Sequence, residues 1–156
     1  MCRTHGFTLV ELVVVIVLIG ILTAVAGPRF FSVGAFQARG FHEEVLSAVR
    51  YARQVAVATQ CPVQVAIDGG ADTYALYLPD DADADPATCD GIGAGFGSNP
   101  LSHPARSESF AGAGGGVDIA GSLAFYYDAL GRPSASGSIG IGARTLTVEP
   151  ETGFVH

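Results

Sequence analysis

The chain has 156 residues, 49% of them hydrophobic, and a formal net charge of −7. That length holds one domain plus one long helix rather than several domains. From Cys61 onward twelve Asp or Glu stand against three Arg, a balance of −9 with no Lys at all. Such a balance argues against nucleic acid as a main partner, because phosphate binding needs clustered positive charge.

The first element is an apolar helix. Between Phe7 and Ala26 lie twenty residues in which Glu11 is the only ionisable side chain. As a helix this span rises about 30 Å, the hydrocarbon thickness of a bilayer. A carboxylate inside it is unfavourable by roughly 2.5–3.5 kcal/mol on insertion scales, so it requires a cation nearby. A secretory signal peptide is the competing reading, with Ala24-Val25-Ala26 as its small-residue cleavage site. The apolar run is longer than a signal core, and a charge interrupts its start. Pro28 follows Gly27 and is expected to kink the helix rather than end it.

From Phe41 the apolar period is clean: Phe41, Val45, Ala48, Val49, Ala52, Val55, Ala56 and Thr59 recur at three- and four-residue steps. His42, Glu43, Arg50, Arg53 and Gln54 fill the opposite face. This second helical half, 29–60, is amphipathic and predicted to pack one face on a sheet. Cys61-Pro62 ends it, since the residue before Pro avoids the helical region.

Beyond Pro62 the period changes to two. Residues 63–67 and 73–78 alternate around the turn 68–72 and predict a hairpin. Residues 79–116 are irregular and too long for a plain loop, so short strands are expected near Phe96 and over 107–110. Leu123–Tyr127 reads as a strand and 128–133 as a turn. Residues 138–141 and 145–148 form a second hairpin, and 150–153 turn into Phe154-Val155-His156. The order, one long helix and then antiparallel strands, defines an α+β chain.

Gly6, Phe7, Thr8, Leu9 and Glu11, followed by the apolar run, resemble the amino terminus of the type IV pilin and pseudopilin superfamily. The pilin-like fold is a long helix, transmembrane in its first half, packed on an antiparallel β-sheet head. Residues 47–56, 125–133 and 151–155 are similar to the minor pseudopilin H (GspH/FimT) family, and within it to minor pilins of mannose-sensitive haemagglutinin (MSHA) type IV pili. The resemblance implies a leader, 1–6, cut between Gly6 and Phe7 by a prepilin peptidase. It implies N-methylation of Phe7, a filament-core helix over 7–28, and a periplasmic head over 61–156 with the irregular loop 79–116. It implies that Glu11 meets the Phe7 amine of an adjacent subunit, and that the partners are other pilin subunits and, before assembly, the bacterial inner membrane. A type II secretion pseudopilus uses the same fold, and a tip-displayed adhesin or a DNA-binding pilin is an alternative of another class.

Three cysteines are present, and Cys2 lies in the leader. Cys61 and Cys89 remain as an even pair facing an oxidising compartment, and a disulfide between them is expected. It would close a loop of about thirty residues and stabilise by roughly 2–4 kcal/mol.

No motif points to catalysis or to a cofactor. Asp81, Asp83 and Asp85 fit the first positions of a calcium loop, but Pro86 stands where Gly is needed and Ile92 where the bidentate Glu is needed. His42-Glu43-Glu44-Val45-Leu46 begins like a zinc-protease helix and lacks the second His. The glycine-rich runs 91–97 and 112–116 do not follow a strand and open a helix, so they are read as loops. Arg132 and Arg144 are too few for a DNA footprint and are read as a turn Arg and a strand-edge Arg.

Overall fold

The computed structural model describes residues 8–30, 33–80, 95–105 and 107–156. Two compact units emerge, Met1–Phe36 and Gln37–His156. The first contains α1 (Leu9–Phe30), which runs two residues past Pro28. Among the described residues, no helix is long and apolar enough to cross a membrane. The side chains described for α1 cover 9–23, which rises about 22 Å, less than the ~30 Å hydrocarbon layer. The expected span over 7–28 is therefore not established by the structure.

The second unit carries most of α2 (Val33–Thr59) and all the strands. Phe41, Val45, Ala48, Val49, Ala52 and Ala56 are buried, so the apolar face read from the period is the one that packs. The polar face needs one correction. His42, placed there by the period, is only 5% exposed. Neither of its ring nitrogens has a hydrogen-bond partner among the described residues, and the Glu43 carboxylate is 3.8 Å from Nδ1. Thr59, placed on the apolar face, is exposed; its hydroxyl donates back to the Val55 carbonyl in the last turn. The helix stops at Gln60, whose φ of 58° turns the chain toward Cys61 and Pro62.

Among the described residues the strands of the head form two sheets, not one. β1 (Val63–Asp68) and β2 (Thr73–Pro79) form the expected hairpin, with Asp68 opposite Thr73. β3 (Phe96–Pro100) pairs with the far end of β2, and β4 (Ala111–Ala113) with its near end. The strand expected over 107–110 is thus displaced. Phe110 is buried, stacks on Tyr51 and His103, and leaves only a bridge between Ser102 and Ser109 in that region. β5 (Ile119–Ala120) was not anticipated from the sequence. It pairs with β7 (Gly137–Ile141), which pairs with β8 (Arg144–Val148). β6 (Leu123–Tyr127) belongs to the other sheet, beside β1. The chain changes sheets at Gly121, whose φ of 94° suits glycine and not an L side chain.

Register explains the core. Val63 lies opposite Tyr127 and Val65 opposite Phe125, so alternate residues of β1 and β6 face the same way. Ile139, Ile141, Leu146 and Val148 of the smaller sheet join α2 and β1 in one apolar cluster. Every buried side chain among the described residues lies between Phe41 and Val155. The head therefore has a core of its own.

Tyr127 closes this core where the turn after β8 comes in. Its side chain is fully buried and its hydroxyl donates to the Gly153 carbonyl at 3.0 Å. Burial pushes the phenol up from 10.0 to about 12, against the opposing Arg53 charge. The fold favours the neutral phenol, so this contribution is complete below pH 10 and is lost as pH rises toward 12. Tyr127→Phe is expected to be about 1 kcal/mol less stable at pH 7, since it orphans a carbonyl. It is also expected to lose less stability than the parent between pH 9 and pH 11. Urea unfolding of both chains at the three pH values checks this; parallel curves would show that Tyr127 is not the alkaline group.

Candidate functional site

The residues singled out in the sequence fall into three places. Gly6 and Phe7, the processing pair, lie outside the described residues, as do Cys89 and the acidic trio Asp81, Asp83 and Asp85. Cys61 is buried where α2 hands over to β1, 2% exposed. Arg132 and Arg144 lie in the head and Glu11 in α1.

Glu11 occupies the first turn of α1. Thr8 precedes the helix, and its Oγ1 accepts from the Glu11 backbone N–H at 3.3 Å. The Thr8 carbonyl accepts from the Leu12 N–H at 3.2 Å. Thr-x-x-Glu at a helix start is the pattern of the capping box, in which the hydroxyl satisfies one of the orphan donors of the first turn. A carboxylate at this end also opposes the positive pole of the helix. The Thr8-Leu9-Val10-Glu11 pattern carries this capping role in the sequence itself, beside the role the family resemblance implies. Glu11 therefore serves its own helix before any partner is considered.

Behind Glu11 the surface is apolar all round. Ile16, Val17, Leu18 and Ile19 are each more than half exposed, and four consecutive side chains, about 100° apart, point to all sides of a helix. A soluble helix hides one stripe, whereas this one hides none over its described side chains, 9–23. Thr23 is the polar exception, and its hydroxyl donates to the carbonyls of Ile19 and Gly20, each at 2.9 Å. Internal satisfaction of this kind lets a hydroxyl sit in an apolar surrounding at little cost. An exposed apolar area of this size marks a surface covered by lipid or by other protein.

Arg132 pairs with Asp128 at 2.8 Å and Arg144 with Glu43 at 3.3 Å. Burial alone would lift the Asp128 carboxyl. The Arg132 and Leu130 backbone N–H groups and the Arg132 guanidinium outweigh it and hold the carboxyl below its ordinary value. Two arginines tied to carboxylates form no phosphate-binding patch. No group of three or more metal-ligating side chains occurs among the described residues.

The family description that matches the chain is the prokaryotic N-terminal methylation motif, over residues 1–27. That match supports a type IV pilin-like or pseudopilin protein, processed and assembled in the manner of that superfamily. No curated protein and no solved structure matches the chain.

Proposed function

We propose that the chain is a minor type IV pilin of the MSHA-like, GspH/FimT type, a structural subunit and not an enzyme. It is inserted in the inner membrane by the helix beginning at Phe7 and then drawn into a filament, where it takes part in assembly at or near the tip. The single observation behind this reading is the methylation motif joined to a helix that exposes apolar side chains on every side. Cleavage after Gly6 leaves Phe7 as the amino terminus, and methylation keeps that amine cationic. In the bundle of helices the Phe7 amine of one subunit meets the Glu11 carboxylate of the next. An apolar bundle makes an unmatched charge costly, so the pair selects register. Cys61 and Cys89 form a disulfide that ties the acidic loop to the end of α2.

Cell fractionation with amino-terminal sequencing of the mature chain tests the reading. A mature protein that begins with methylated Phe7 and sediments with membranes or filaments is the expected result. A mature chain that begins beyond Ala26 would overturn it, because the apolar helix would then be a discarded signal.

A further inference from the structure

A groove of about 520 Å³ runs between α2 and the turn that follows β8, lined by Arg50, Arg53, Gln54, Val57, Phe154 and Val155 among others. Two arginines one helical turn apart share it. Each is held by a backbone carbonyl: Arg50 donates to Val155 at 3.2 Å, and Arg53 through Nε to Gly131 at 3.1 Å. Neither has a carboxylate within ion-pair distance among the described residues, unlike Arg132 and Arg144. Apart from Gln54 the rest of the wall carries no polar side chain, and Val57 and Phe154 remain 44% and 52% exposed. Two positioned, uncompensated guanidiniums in a chain of net charge −7 form a local island of the opposite sign. Guanidinium forks recognise carboxylates in two-point fashion, and apolar walls add affinity for the side chains that flank them.

We propose that this groove receives a carboxylate-bearing peptide segment of a neighbouring subunit, an aspartate or glutamate flanked by apolar residues. The neighbour's identity as a subunit rests on the assembly reading above; the ligand chemistry rests on the groove alone. Fixing the guanidiniums through backbone carbonyls reduces the side-chain entropy lost on binding. The remaining N–H donors of each fork are left for the incoming carboxylate.

The test uses the head, residues 37–156, whose core is self-contained. It is titrated with an acetylated and amidated pentapeptide alternating alanine and aspartate, with its asparagine counterpart, with inorganic phosphate and with short duplex DNA. The arginine Nε–Hε resonances report the outcome. The aspartate peptide is expected to shift the signals of Arg50 and Arg53 saturably, and the asparagine peptide to leave them in place. Arg50→Met is expected to weaken binding roughly tenfold, equivalent to about 1.4 kcal/mol. Should that variant unfold, Val57→Glu places a repelling charge in the groove without touching either carbonyl bond and is expected to weaken binding similarly. Binding of phosphate or DNA in preference to the aspartate peptide overturns the proposal, as does no binding at all or equal binding of both peptides. Amino-terminal sequencing is independent of the head, so a Phe7 start with an inert groove would remove this inference and leave the pilin reading intact.

Discussion

Glu11→Gln is expected to reach the membrane at normal levels and to be largely absent from filaments. Glutamine is chosen because it separates the two duties of Glu11. At the third helical position glutamine serves a capping box about as well as glutamate, so α1 keeps its start. What disappears is the negative charge. In an apolar bundle that leaves the Phe7 amine of the neighbour bare, and an uncompensated buried charge costs roughly 3–5 kcal/mol. A loss of that size suppresses incorporation by two orders of magnitude or more. Immunoblots of sheared filaments against membrane fractions measure it. Full incorporation of Glu11→Gln together with poor incorporation of Glu11→Ala would assign Glu11 to capping alone and remove the register role. Thr8→Ala completes the set: it removes the hydroxyl that accepts the Glu11 N–H and is expected to cost only about 1 kcal/mol of helix stability.

Gly153→Ala is expected to destabilise the head by roughly 2–5 kcal/mol, through two separate penalties. Gly153 has a φ of 62°, in the left-handed region, where an L side chain costs roughly 1–2 kcal/mol. Its added methyl would also sit 2.5 Å from the Gly131 carbonyl and 2.8 Å from the Tyr127 ring. The first neighbour is backbone and the second is a fully buried ring, so neither yields cheaply, and overpacking of this kind costs roughly 1–3 kcal/mol. For a head of this size the melting temperature should fall by about 10 °C. Gly115→Ala is the control. Gly115 has a φ of 58° with open space where the methyl would go, so it carries only the backbone penalty. Thermal unfolding of both variants decides the point, and equal melting temperatures would show that the contact of Gly153 with Gly131 and Tyr127 is not tight. The same substitution displaces Phe154 and Val155, and should weaken peptide binding in the arginine groove as well.

The amphipathic half of α2 was legible because its burial follows a local rule: side chains three and four apart share a face. The hairpin of β1 and β2 was legible for the same reason, its turn and alternation being contained in sixteen or so consecutive residues. His42 follows the same rule: it stands three, four and seven residues from the buried Val45, Leu46 and Val49, so it shares their face although its side chain is polar. The strand displaced from 107–110 to Ala111–Ala113 followed from the packing of Phe110 against its near neighbour His103 and against Tyr51, which joins it from α2, far away in the chain. Arg50 and Arg53 read as solvated face residues until the segment after β8, at Val155, and the turn after β6, at Gly131, supplied the carbonyls that hold them.

The amino terminus is the part that the sequence determined by itself. A charge-bearing apolar run needs no tertiary partner within the chain to be legible, because the pattern lies in order and composition alone. The pairing of β6 with β1, the change of sheet at Gly121 and the basic groove were decided only in three dimensions. Each depends on contacts between segments far apart in the chain, and those are selected by how the whole apolar core closes rather than by any local pattern.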